Sequence, residues 1–362
     1  MTLSRSHAHS PYMEYAKLHS AAKYNLATSG VMSYALAELP VRMEGLEING
    51  PTVYGYAPLQ ERLARLNGLS EENVVAATGT SLANHLAMAA LFDPGDEVLL
   101  EEPTYELLLS TAEFLGAKIR RFPRDFSTGF AIDPADVRKA VTAKTRLIVI
   151  TNLHNPSSVL VSDETLKEIG EIAASTGARV LVDEVYLESL WEKRPKPSIH
   201  LGDQFVVTSS LTKAYGLSGV RCGWILAEPK LAKRIWRLND LFAATPAHPA
   251  ELISVVALDN LDRVTKRARG ILDANHQSLN SFLSSRTDLQ MVCPGVGTTV
   301  FPKLLKGSVD AFDTFLRERY ETGVVPGSFF EMPQHFRIGL GGDPAMTHEA
   351  LARLNDALDE YS

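Results

Sequence analysis

Three short runs in the middle of the chain are almost wholly apolar: Arg146-Leu147-Ile148-Val149-Ile150, Arg179-Val180-Leu181-Val182 and Gln204-Phe205-Val206-Val207-Thr208. They do not alternate, so each reads as a strand covered on both faces, which is the pattern of a parallel sheet between layers of helices. Between the first two lies Asp163 to Thr176, with Leu166, Ile169, Ile172 and Ala173 at helical spacing. Strand, helix and strand in this order predict a βαβ unit, whose right-handed crossover fixes how the sheet is built. The fold class expected is therefore α/β: a large domain with a mostly parallel sheet covered by helices, plus a smaller α+β domain. Boundaries are placed at 1–45 for an N-terminal segment packing with the small domain, 46–245 for the large domain and 246–362 for the small C-terminal domain. The C-terminal third predicts a long charged helix over Asp259 to Leu283. A Gly/Pro-marked strand region follows at Pro294 to Phe301, then strands and turns from Val324 to Leu340.

Residues able to do chemistry fall just past the strand ends. Asn155 follows Ile150, Asp183 follows Val182 and Lys213 follows Thr208. Open α/β sheets bind ligands outside the carboxyl ends of their strands, so the three positions reinforce one another. The run Ser209-Ser-Leu-Thr-Lys213-Ala-Tyr-Gly-Leu-Ser-Gly-Val-Arg221 sets one lysine among hydroxyls and glycines, with an arginine eight positions later. A nucleophilic amine next to groups suited to a phosphate, Ser210 and Arg221, points to a Schiff-base lysine holding pyridoxal 5'-phosphate (PLP). The alternative is a surface lysine in a Ser/Gly loop.

Other residues fit around that core. Asp183, in Val-Asp-Glu-Val-Tyr, suits a pyridine nitrogen that must stay protonated, and Tyr186 three residues on could donate to the ring oxygen. Asn155, ahead of Pro156, offers an amide to the same oxygen, while His154 reads as packing. Thr78-Gly79-Thr80-Ser81 opens an apolar-striped segment, so Gly79, Thr80 and Ser81 form a candidate phosphate site at a helix N-terminus, with an ordinary cap by Thr80 or Ser81 as the alternative. Tyr105, after Val98-Leu99-Leu100, could stack on the ring. Arg337, alone in His-Phe-Arg-Ile-Gly, suits bidentate capture of a carboxylate.

Taken in order, these motifs resemble fold-type I PLP enzymes of the class I/II aminotransferase family, from about Asn25 to Ile338. The resemblance implies that Lys213 forms the Schiff base and shuttles a proton at the substrate Cα. It implies phosphate binding by Arg221, Ser210 and the amides of Gly79, Thr80 and Ser81, and α-carboxylate binding by Arg337 with Asn155 and the Ser29-Gly30 backbone. The implied activity is transfer of an α-amino group from an amino acid to a 2-oxo acid, in a homodimer with active sites at the interface. Tyr54 or Tyr56 is the candidate to reach the partner's phosphate. Three departures stand out, the first a Gly55-Tyr-Ala-Pro-Leu59 segment that is compressed compared with many relatives. The usual Asn-Pro-Thr-Gly turn is Asn-Pro-Ser-Ser, ending at Ser158. Asn25-Leu-Ala-Thr-Ser-Gly-Val31, with Tyr34 after it, is similar to capreomycidine synthase-like members, which implies β/γ-elimination or cyclisation as the alternative activity.

Composition narrows the rest. The 362 residues carry a net charge of −7, with 45% hydrophobic and 22% charged residues. An acidic surface argues against nucleic acid as a partner. No apolar run approaches the roughly 18–20 residues of a membrane span. Cys222 and Cys293 lack metal-ligand spacing, so no metal is expected, and a reducing, cytoplasmic setting fits. Residues 1–10 contain no apolar core of a signal peptide, and they leave no room for a helix-turn-helix ahead of the enzyme-like part. A nicotinamide dehydrogenase fits less well still, since no G-x-G-x-x-G follows an early strand.

Overall fold

The computed structural model describes residues 8–19, 22–51 and 53–361. Most of the N-terminal stretch read for a signal peptide, residues 1–7, lies outside the described residues. Seven strands form one central sheet: β1 (Val74–Thr78), β2 (Glu97–Glu102), β3 (Lys118–Pro123), β4 (Thr145–Thr151), β5 (Arg179–Asp183), β6 (Phe205–Ser210) and β7 (Cys222–Leu226). Their spatial order is β1-β7-β6-β5-β4-β2-β3. The pairs β2/β3, β2/β4, β4/β5 and β5/β6 are parallel, whereas β7 runs antiparallel to both its neighbours. The three apolar runs are β4, β5 and β6, the inner strands of this sheet. Val180, Leu181, Val182, Phe205 and Val206 are each fully buried, as strands sandwiched between helices must be. This is the mostly parallel α/β sheet expected.

The crossover helix is α2 (Asp163–Thr176) once α1 (Pro11–Leu18) is counted first. Ser162 caps α2 by accepting from the Thr165 amide over 3.2 Å, and Gly177 ends it at φ 72°. A side-chain cap at one end and a left-handed glycine at the other are the usual stops for a helix. Leu166, Ile169, Ile172 and Ala173 form its buried stripe.

The C-terminal third departs from the sequence reading in two places. The long charged helix starts at Leu261 and runs to Leu283, because the preceding helix, His248–Asp259, ends there. Asn260 makes the break: its side-chain amide donates to the Val256 carbonyl over 2.8 Å and competes with the helical ladder. The region Pro294 to Phe301 yields only a two-residue strand, Thr299–Val300, since Gly295 and Gly297 hold φ values of 69° and 87° that no strand accommodates. That strand pairs with Phe336–Gly339, which also pairs with Val325–Pro326 on its other side. Tyr24–Asn25 runs parallel to Thr322–Gly323, so the N-terminal segment is tied to the C-terminal third before it crosses the sheet edge. Among the described residues no helix is long and apolar enough to cross a membrane.

One buried acid beside β5 gives a measurable consequence. Burial pushes the Glu184 carboxyl up to about 7, against hydrogen bonds from the Ser198 amide and hydroxyl. The folded protein therefore holds this proton where the unfolded chain, titrating near 4.5, has released it. Stability from this group is present below pH 4.5 and is lost as pH rises to about 7. Glu184→Gln keeps an acceptor for Ser198 and removes the titration. Its melting temperature is expected to fall less than that of the wild type across this window, and two parallel Tm-against-pH curves would rule the effect out.

Candidate active site

The carboxyl ends of β1, β4, β5 and β6 converge on one cavity of about 260 Å³. Lys213, Asp183, Tyr186, Asn155, Tyr105, Thr80, Ser81 and Arg221 line it, so residues spread over some 140 positions of sequence meet in one place. Buried strand positions hold polar side chains only where these find partners, and the groups lining the cavity appear near where the strands stop.

Asp183 sits on the floor, the last residue of β5 and 3% exposed. Asn84 donates to one carboxylate oxygen over 2.8 Å, and the Val185 amide donates to the other over 3.1 Å. Thr208 orients Asn84 by donating to its carbonyl oxygen over 2.5 Å. Burial pushes the Asp183 carboxyl up to about 6, while these bonds and the Lys213 charge pull it back. Such a group pairs readily with a cation placed over it.

The helix Gly79–Leu91 begins at Gly79, so neither Thr80 nor Ser81 is its N-cap, and Thr78 makes no side-chain cap bond. Its first amides thus keep their donors for a ligand. Gly79 has φ 76°, and a Cβ there would collide with the Arg221 guanidinium. A Cβ on Gly223 would in turn strike the Gly79 backbone. Thr80 donates to Ser210 over 2.8 Å. Amides at a helix N-terminus, two hydroxyls and an exposed arginine packed on a glycine make a cradle that fits a phosphate. With Lys213 and Asp183 in the same cavity, the residues present fit PLP.

Lys213 lies on the turn between β6 and β7. Its carbonyl accepts from the Val31 amide over 2.8 Å, and its Nζ donates to Ser29 Oγ over 3.1 Å. Tyr186 donates to the same Ser29 oxygen over 2.9 Å. Gly30 packs behind Lys213, where a Cβ would stand 3.3 Å from the lysine Cα, and Ser29 rather than Gly30 faces the cavity. Arg337 is fully buried behind the wall. It donates to Asn155 Oδ1 over 3.0 Å, to the Tyr12 hydroxyl over 2.8 Å and to the Ala27 carbonyl over 3.1 Å. Its Nε has no partner among the described residues, so donor capacity remains for an anion. Tyr105 meets Tyr12 edge-on, with ring centroids 5.5 Å apart.

The Asn155 loop keeps a left-handed residue where glycine is commonly found: Ser158 has φ 61°. Its hydroxyl donates to the Thr299 carbonyl over 2.7 Å, an interaction that offsets the strain glycine would avoid. His154 is fully packed, bonded to Ser157 and to the Pro103 carbonyl. Neither Tyr54 nor Tyr56 lines this cavity: Tyr54 is exposed and donates to Asp240, and Tyr56 packs edge-on against His248. Among the described residues no cluster could hold a metal ion.

Sequence reasoning missed Tyr12, Asn84 and the hydroxyl of Ser29. Asn84 had a visible sign, a polar residue on an otherwise apolar helical stripe, but the other two are brought in from sequence-distant segments. It also missed a buried ion pair under the Asn155 loop. Arg124 donates to Glu101 over 2.8 Å with both side chains fully buried. Glu101 also accepts from the Thr151 amide and hydroxyl, and Thr151 Oγ1 accepts from the Asn155 amide over 3.1 Å. Arg124→Met strands the Glu101 charge and is expected to cost about 3–5 kcal/mol in urea denaturation. A loss below about 1 kcal/mol would show that the pair does not support the loop.

The family model described as aminotransferase class I and II matches residues 28–354. Capreomycidine synthase from Streptomyces vinaceus is 29% identical over 357 residues, covering 94% of this chain and 91% of that protein. A probable aspartate/prephenate aminotransferase from Aquifex aeolicus is 26% identical over 317 residues, covering 83% and 80%. The solved structure of a PLP-dependent aminotransferase from Streptococcus suis superimposes with a TM-score of 0.93 at 26% identity, covering 100% and 99% of the two chains. On the extent of that family match and the site described above, the chain belongs to the class I and II aminotransferases.

Proposed function

We propose that this chain is a PLP-dependent aminotransferase that moves the α-amino group of an amino acid to a 2-oxo acid. The family makes PLP its cofactor. The observation that carries the reading is the placing of Lys213, Asp183 and Tyr186 on one cavity that also holds a phosphate cradle. When bound, PLP supplies an aldehyde for an amine and a ring that takes up the electron pair left at Cα.

The chain's own residues supply the rest. Arg221, Ser210, Thr80, Ser81 and the amides from Gly79 onward hold the phosphate. Asp183 keeps a proton on the ring nitrogen, and Asn84 and the Val185 amide keep Asp183 aimed. Tyr186 and Asn155 would hold the ring oxygen of the cofactor, and Tyr105 would pack against its ring. Lys213 would anchor the cofactor through its amine and would hold the substrate Cα proton at Nζ. Arg337 binds the substrate carboxylate with Asn155, sharing its guanidinium with Tyr12. Residues 46–245 form the cofactor-binding domain of this reading, and the active unit is a homodimer. The exposed apolar side chains Met43, Ile48 and Val53 suit a partner surface.

A second reading keeps every one of these roles and changes the fate of the carbanion to elimination or cyclisation. The likeness to capreomycidine synthase along 94% of the chain favours it. Both reactions start by removing the Cα proton, so they are told apart by products. Purified enzyme loaded with PLP and offered single amino acids is expected to accumulate pyridoxamine phosphate. Consumption of the amino acid without it, with release of ammonia or a cyclic product, would transfer the assignment to the second reading. Arg337→Ala is expected to raise KM for carboxylate substrates by about 10²-fold or more while leaving PLP affinity nearly unchanged, given that a charge-assisted pair is worth about 3 kcal/mol. Equal loss of both would mark the arginine as structural.

A further inference from the structure

The cavity wall beside Arg337 comes from α1. Tyr12, whose hydroxyl accepts from Arg337 Nη2 over 2.8 Å, lines the cavity together with Met13 and Ala16. Residues three and four apart are neighbours on a helix surface, so positions 12, 13 and 16 share one face of α1. The helix is held on both sides. Its N-cap, Ser10, accepts from the Met13 amide over 3.1 Å and donates to Glu106. Tyr15 donates to Asp313, on the helix Val309–Tyr320, over 2.9 Å. Met13 accepts at Sδ from the Tyr105 hydroxyl over 3.8 Å, which fixes its side chain against the end of β2.

The chemistry of this wall is uniform. Tyr12, Met13, Ala16, Ala27 and Tyr105 pack in one apolar cluster, and all five line the cavity. Among the described lining residues three carry charge, Lys213, Asp183 and Arg221, and none of them belongs to that cluster. By the proposed roles these three serve the cofactor. A substrate whose carboxylate meets Arg337 therefore has its side chain beside a surface that offers no counter-charge. An ion placed there loses hydration and gains no partner. A methylene chain instead exchanges water for contact, and Met13, unbranched and polarisable, adapts to its shape.

We propose that Met13 and Ala16 select the substrate side chain, and that the site takes amino acids with an uncharged, mainly apolar side chain and excludes acidic ones. The proposal rests on the reading of Arg337 as the carboxylate site. Selectivity is a difference between two affinities: apolar contact raises one, and an unpaired charge lowers the other. One face of α1 thus has two tasks. Tyr12 steadies the arginine that holds the carboxylate, and Met13 and Ala16 read the side chain attached to the neighbouring carbon.

The test is binding without turnover, by calorimetry on the PLP-loaded enzyme. Propionate, butyrate and pentanoate are compared with glutarate, which matches pentanoate in chain length and ends in a second carboxylate. Affinity is expected to rise about fourfold for each methylene from propionate to pentanoate. Glutarate is expected to bind about 10²-fold more weakly than pentanoate. Met13→Ala is expected to weaken pentanoate about tenfold and leave propionate nearly unchanged. Ala16→Arg puts a cation on the wall and is expected to tighten glutarate about tenfold while weakening pentanoate. Propionate, which needs Arg337 and little of the wall, reports that each variant keeps its site. Glutarate binding the wild type as tightly as pentanoate, or Met13→Ala weakening all four ligands alike, overturns the proposal and leaves the Arg337 reading in place. If no carboxylate binds the wild type, the Arg337 reading fails and the proposal falls with it.

Discussion

The rest of the structure depends on the full burial of the inner strands β4, β5 and β6. A strand covered on both faces has no place for an unpaired polar side chain until it ends. Polar groups are therefore displaced to the strand termini, and parallel neighbours end on the same side. Thr151, Asp183 and Ser210 are consecutive examples of this rule, one from each inner strand. The cavity is thus a product of the same apolar runs that hold the core together.

Keeping charge at such a depth needs partners, and the chain meets that need in two ways. Asp183 stays near the cavity because Asn84 and a backbone amide donate to it, and Thr208 fixes Asn84 in turn. Glu101 and Arg124 instead neutralise one another with no exposure at all, and Glu101 spends its other oxygen on Thr151. In each case the buried charge orients a group on the cavity wall. The desolvation cost falls on the scaffold, and the well-placed donors and acceptors are what the site gains from it.

The N-terminal segment completes the site from outside the sheet. Tyr24–Asn25 is anchored against Thr322–Gly323, and the chain then passes Lys213, with the Val31 amide bonded to the lysine carbonyl. That path brings Ser29 to the lysine amine, while α1 brings Tyr12 to Arg337. Lys213 and Tyr186 thereby share one serine hydroxyl, while Tyr12 accepts from Arg337.

The apolar runs and the helical spacing of Leu166, Ile169, Ile172 and Ala173 between them were enough to read a parallel α/β sheet. They also placed Asn155, Asp183 and Lys213 at its edge, because periodicity and strand ends are local properties of a sequence. The break at Asn260 has a local cause, a side chain competing with its own helix. The rest of what was not legible had a non-local cause. Ser29, Tyr12 and the Glu101–Arg124 pair acquire roles only through neighbours dozens to hundreds of positions away. The sequence by itself determined the architecture and the type of chemistry. Tertiary structure alone decided which hydroxyl meets the lysine, since hydrogen bonds act over about 3 Å of space whatever the distance along the chain.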